Sequence, residues 1–132
     1  MGLVIGTNVF VRAERIDVPI DFEQWRSFGQ ACIAAITVSE LLVGVHRADG
    51  AGRRKRREAI VEAVVTAVPA LDFTPAVART HARLVAGLPE GIALAAHDAL
   101  IAATALHFSC AVLTADRRDF DRFPGLELLI AS

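Results

Sequence analysis

With 132 residues, 54% of them hydrophobic, and a formal net charge of -1, the chain has apolar material for one compact domain and needs no second. No apolar run reaches the roughly 18 to 20 residues of a membrane helix, and a charge this small excludes nucleic-acid binding by overall attraction, leaving only a local patch for that role. Cys32 and Cys110 stand far apart, outside any CxxC spacing, which suits small buried thiols; the opening residues lack the basic and long apolar segments of a secretory signal, so the expected location is the cytoplasm.

Leu3-Val4-Ile5 predicts a strand, and Thr7 and Asn8 supply cap-type residues for a helix carrying Val9, Phe10, Val11 and Ala13. Residues 19–28 mix Asp21, Glu23, Gln24 and Arg26 with Phe22, Trp25 and Phe28, the pattern of a short amphipathic helix whose aromatic side chains cover a core edge or meet a partner. Residues 31–36 form a second apolar run that ends at Thr37, after which Val38, Leu41, Leu42 and Val45 recur at helical spacing. A turn at residues 49–52 leads to a helix with Ala59, Ile60, Ala63, Val64 and Ala67 as its apolar stripe. Its first turns hold the densest charge run, Arg53-Arg54-Lys55-Arg56-Arg57. That run reads as a solvated helix start, as a phosphate-binding flank for RNA, or as a surface for an acidic partner segment.

Residues 70–73 make a brief strand, and Thr74-Pro75 places a capping hydroxyl before a proline at the first helical position. Val77, His81, Leu84 and Val85 continue that helix, and residues 87–91 interrupt it with a loop. Residues 95–107 are alanine-rich and apolar on nearly every face, which implies a buried helix packed closely on a sheet. Ala111-Val112-Leu113 is a strand ending at Thr114, residues 117–120 a helical turn, and residues 126–130 a last strand. Strands alternating with helices predict an α/β fold, a three-layer α/β/α sandwich around a mainly parallel sheet of four to five strands, in one domain over residues 1–132.

Ligand sites in such sheets gather beyond the carboxyl ends of the strands. The first strand ends at Gly6-Thr7-Asn8, Glu40 follows the second within one helical turn, and Asp116 follows the fourth; Asp98 lies in the first turn of the alanine-rich helix. Each acid has a structural explanation by itself. Thr37-Val38-Ser39-Glu40 matches a capping box, Asp98 complements a helix dipole, and Asp116 orders a turn. Three carboxylates meeting at one edge are another matter, because a pair about 5 Å apart repels by roughly 3 kcal/mol at an effective dielectric of about 20. A hard divalent cation such as Mg2+ offsets that repulsion and assists phosphoryl transfer, with phosphodiester hydrolysis the simplest case.

Four segments taken in order resemble PIN domains. These are Leu3-Val4-Ile5-Gly6-Thr7-Asn8-Val9-Phe10, Ile36-Thr37-Val38-Ser39-Glu40-Leu41-Leu42-Val43-Gly44, His97-Asp98-Ala99-Leu100-Ile101-Ala102-Ala103-Thr104-Ala105, and Leu113-Thr114-Ala115-Asp116-Arg117-Arg118-Asp119-Phe120. The nearest likeness is to the VapC toxins of bacterial toxin-antitoxin pairs. That resemblance implies a PIN-like fold and a Mg2+- or Mn2+-dependent endoribonuclease, usually dimeric, that cleaves structured RNA of the tRNA or rRNA class. It implies a VapB-type antitoxin whose C-terminal segment occupies the toxin's groove, in a homodimer or toxin-antitoxin hetero-oligomer. By motif position it makes Glu40, Asp98 and Asp116 the catalytic and metal-binding acids, with Thr114 supporting the last and Asp119 peripheral. The departure is Gly6, where the family has a metal-binding aspartate: glycine offers no ligand, so the expectation is an impaired enzyme or a catalytically dead PIN-fold interaction module. His46, His81, His97 and His107 form no metal motif and receive no role. A receiver domain would need a lysine after a late strand, and the only lysine is Lys55; no phosphate-cradling glycine loop follows a strand either.

Overall fold

Ile5 and its neighbours are branched and apolar, and the chain alternates such short runs with helical segments; a computed structural model describing residues 2–89 and 96–131 shows how they assemble. The strands are β1 (Gly2–Ile5), β2 (Gln30–Ala34), β3 (Ala70–Leu71), β4 (Ala111–Thr114) and β5 (Leu128–Ile130). The helices are α1 (Thr7–Ile16), α2 (Ala35–His46), α3 (Ala51–Ala67), α4 (Pro75–Ala86) and α5 (Ala96–His107), with short 3-10 helices at Glu23–Phe28 and Arg117–Asp119. The sheet runs β3-β2-β1-β4-β5 and is parallel throughout. Leu3 pairs with Ala31 on one side and Ala111 on the other.

The chain leaves β1 toward β2 and later returns to β1's other side as β4, so the strand order reverses direction at β1. Alternation along the strands divides the core accordingly. Leu3, Ile5, Ile33 and Leu113 pack with Phe10, Leu41, Val45 and Val61 on the α1, α2 and α3 face. Val4, Ala34 and Val112 face Ala99, Ala102, Ala103 and Phe120 on the α5 face. Ala102, Ala103 and Ala105 are fully buried, and their small side chains let α5 lie close against the sheet, as the alanine-rich run predicts. No helix of the described residues is long and apolar enough to cross a membrane.

Several expectations need correction. Residues 19–28 do not form an amphipathic α-helix: the chain is irregular to Phe22 and then makes the 3-10 segment. Phe22, Trp25 and Phe28 still pack, half-buried, against the core. Helix α3 begins at Ala51, inside the expected turn. Its inward face is Val61, Val64 and Val65, continued by the C-cap Val68, whereas Ala59, Ala63 and Ala67 are exposed and Ile60 is 51% exposed. Thr74 caps α4 as expected, accepting a bond from the Val77 amide at 3.3 Å. Of the expected loop at 87–91 and the start of the alanine-rich run, residues 90, 91 and 95 lie outside the described residues.

Candidate active site at the sheet edge

The order β2-β1-β4 sets three strand ends side by side at the reversal point, where α/β sheets gather ligand sites. Gly6 occupies the centre. It is buried, its amide donates to the Leu113 carbonyl at 2.8 Å, and it serves as N-cap of α1 with φ -65° and ψ 146°. Any residue adopts that backbone conformation. A Cβ there would nonetheless lie 3.1 Å from the Leu113 carbonyl oxygen and 3.3 Å from Asn8 Oδ1.

Because Gly6 takes the cap, Thr7 and Asn8 are the first two residues of α1, and their side chains reach over the sheet edge instead of capping the helix. Thr7 Oγ1 donates to Glu40 Oε1 at 2.7 Å and lies 2.9 Å from Thr37 Oγ1. Asn8 Nδ2 donates to Thr114 Oγ1 and Asp119 Oδ2, both at 2.9 Å, while its Oδ1 accepts the Ala115 amide at 3.1 Å. One amide side chain therefore ties the start of α1 to the end of β4. Buried Thr114 also holds the backbone of Asp116, accepting its amide and donating to its carbonyl at 3.1 Å.

The capping box expected at Thr37 does not form. Ala35 and Ile36 are already helical and Ala34 is the N-cap of α2, so Thr37 lies inside the first turn, fully buried. Freed of that role, Glu40 receives the Thr7 hydroxyl on one oxygen and has His97 Nδ1 3.2 Å from the other. Asp98, in the first turn of α5, has its carboxyl pushed up to about 6, first by burial and then by the negative charges of Asp119 and Glu40. Arg122 and His97 oppose that shift.

Asp116 is turned elsewhere. Its carboxylate accepts the Arg118 amide at 3.0 Å and the guanidinium at 3.1 Å and 2.8 Å, and these hydrogen bonds hold it below the usual carboxylate range. The structure thus brings Glu40 and Asp98 together with Asp119 as their electrostatic neighbour, and leaves the Asp116 carboxylate with Arg118. Among the described residues, no three His, Cys, Asp or Glu side chains gather closely enough to hold a metal ion. The donors are hard carboxylate oxygens, the kind that Mg2+ and Mn2+ take. They fit such an ion in kind, and Gly6 leaves them short in number. Sequence patterns give Thr7, Asn8 and Thr37 to helix capping; the signal for a site role is their position, polar residues beginning a helix straight off a central strand.

Apart from the acidic edge, an open apolar groove of about 530 Å3 runs between the C-terminal half of α1, the segment after it and α3. Phe10, Ala13, Val18, Ile20, Ile60 and Val64 line it, and its only charged lining residues are Glu14 and Asp17.

A family model described as the PIN domain matches residues 3–126. The chain is 38% identical to Ribonuclease VapC1 of Rickettsia felis, over all of this chain and 98% of that protein. It is 28% identical to the tRNA(fMet)-specific endonuclease VapC of Shigella flexneri, over 74% of this chain and 73% of that one. The fold superposes on the crystal structure of VapBC2 from Rickettsia felis bound to a DNA fragment from its promoter, with a TM-score of 0.86 and 21% identity, covering all of both chains.

Proposed function

The chain belongs to the PIN-domain family, among its VapC members, and from that premise we propose that it is an endoribonuclease toxin dependent on Mg2+ or Mn2+ whose cleavage centre is impaired by Gly6. The observation that carries the reading is the crowding of Asp98 by Glu40 and Asp119 at the shared edge of β1, β2 and β4. Glu40, Asp98 and Asp116 are the residues that would hold the ion, with position 6 completing the set in a chain that has aspartate there. A divalent cation so held supplies positive charge to offset the charge developing on a phosphodiester. The chain's own residues do the rest. Thr7 and His97 orient the Glu40 carboxylate, Asn8 and Thr114 fix the start of the loop that carries Asp116, and Asp116 must leave Arg118 to join the others.

Structured RNA of the tRNA or rRNA class is the proposed substrate, in line with the name of the Shigella flexneri relative. The proposed partner is a VapB-type antitoxin with an apolar segment seated in the groove beside α3, in a homodimer or a toxin-antitoxin hetero-oligomer in the cytoplasm. A second reading, a catalytically dead PIN-fold module that binds protein or RNA, is favoured by two observations: Gly6 has no side chain, and the Asp116 carboxylate already has a cationic partner.

Gly6→Asp separates the two. We expect RNA cleavage in Mg2+ or Mn2+ from the variant and little or none from the parent, together with tighter Mn2+ binding by calorimetry. A folded Gly6→Asp protein that binds neither ion and cuts no RNA would overturn the nuclease reading in favour of the module.

A further inference from the structure

The basic run at the start of α3 is not absorbed by the site. Arg57 is structural: its Nε donates to Glu14 at 2.7 Å and an Nη to the Gly44 carbonyl at 3.0 Å, bracing α1, α2 and α3 together. The other four differ. Arg53, Arg54, Lys55 and Arg56 are exposed, and among the described residues none of the four makes an ion pair. Arg54 touches only the Ala48 carbonyl, at 3.5 Å. Exposed arginines elsewhere in the chain do have carboxylates, as Arg26 has Glu23 and Arg118 has Asp116.

Their setting adds to the positive field. No acidic residue lies in the first turn of α3, and Gly50 at its N-cap, with φ 79°, contributes no side-chain acceptor. Four cations at the end of a helix whose dipole is already positive repel one another and the helix terminus. A bound polyanion relieves that repulsion. Successive side chains point about 100° apart around the helix, so the four present a rounded cationic knob rather than a single slot. The alternative occupant, an acidic peptide anchored in the neighbouring apolar groove, finds no cation lining it: its charged lining residues are Asp17, which repels it, and Glu14, already paired with Arg57.

We infer that Arg53, Arg54, Lys55 and Arg56 form a docking patch for the phosphate backbone of RNA, separate from the acidic edge. The inference rests on the RNA-directed reading above. Helix α2 carries Glu40 at its middle and ends at His46, six residues on, or about 9 Å at a rise of about 1.5 Å per residue, with Ala48 two residues beyond. A folded RNA spans that distance while one of its phosphodiesters lies at the acids, so the patch would grip a stem or a flanking strand.

The test is binding of a fluorescent RNA hairpin in EDTA, over a salt series, by the parent and by a variant with all four residues changed to Gln and Arg57 kept. The expected result is at least roughly tenfold weaker binding near 0.1 M salt and a log Kd against log salt slope smaller by about three, since each lost phosphate contact removes about 0.7 to 0.9. A control with Arg15, Arg79 and Arg83 changed to Gln should shift the slope far less. Removing cations from a helix N-terminus favours the helix, so the variant should melt no lower than the parent, and single Arg54→Gln and Lys55→Gln variants give the same slope stepwise. An unchanged slope in the fourfold variant, an equal shift in the control, or loss of poly-glutamate binding with RNA binding intact would overturn the patch. A parent that binds no RNA at any salt would instead overturn the reading on which it rests.

Discussion

A carboxylate restored at Gly6 enters a place with little slack. Its Cβ would press on the Leu113 carbonyl at 3.1 Å, and its charge would join Glu40 and Asp98. Against that, aspartate at a helix N-cap gains only a few tenths of a kcal/mol over glycine. Crowding and repulsion should win in metal-free buffer, lowering stability by about 1 kcal/mol and the melting midpoint by a few degrees, and Mg2+ should raise the variant's midpoint more than the parent's; a metal-free variant that melts above the parent would contradict the crowded edge. Asp98 gives a pH signature of defined sign. Its carboxyl is raised from 3.8 to about 6 on folding, so the folded state binds the proton more tightly. The stability it contributes is present at pH below about 4 and is lost as pH rises through about 6. Urea titrations in EDTA should therefore find Asp98→Asn more stable than the parent at pH 7.5, with the gap closing toward pH 4; a gap that ignores pH would rule out the desolvated carboxyl. At this scale the places of Glu40 and Asp116 after strands and of Asp98 in the first turn of α5 were legible, but their partners were not. Whether Asp116 points at Asp98 or Arg118 depends on a side-chain rotation that no spacing encodes.

The elements show where periodicity is enough and where it divides. Strands β1 and β4 and helices α4 and α5 stand where apolar runs and the Thr74-Pro75 start place them, because nothing in those segments competes. Helix α3 carries two stripes at helical spacing. One is valine at 61, 64 and 65, continued by the C-cap Val68; the other includes Ile60, Ala63 and Ala67, and only the packing of α1 and α2 decides that the valines go inward. The capping box at Thr37 failed for a related reason: Thr37 and Glu40 have the right spacing, but the cap of α2 is Ala34, three residues earlier than the apolar run suggests. Helix α5 makes the opposite demand, since Ala102 and Ala103 are fully buried against neighbours. Ala103→Leu should cost about 2 to 3 kcal/mol by overpacking, read as a lower urea midpoint with an unchanged m-value; a neutral result would mean that α5 sits farther from the sheet than its burial indicates.

Across the whole molecule the apolar groove and the acidic edge are separate surfaces, so each can be altered without the other. Ile60 is 51% exposed and lines the groove. Ile60→Glu should leave the melting temperature within about 2 °C while abolishing co-purification with a co-expressed antitoxin, and intact co-purification would move the partner to another face. The central strand has a further consequence. Leu3 and Ile5 belong to one core and Val4 to the other, and β2 and β4 divide in the same way, so the two cores share the three central strands, of which β1 is hydrogen-bonded to the other two. Neither half can melt by itself without stripping packing from the other. In native-state hydrogen exchange the amides of Val4 and Ile5 should open only with global unfolding, and those of the edge strands β3 and β5 at lower free energy: the chain holds two hydrophobic cores but one cooperative unit, and the strand that leads to Gly6 joins them.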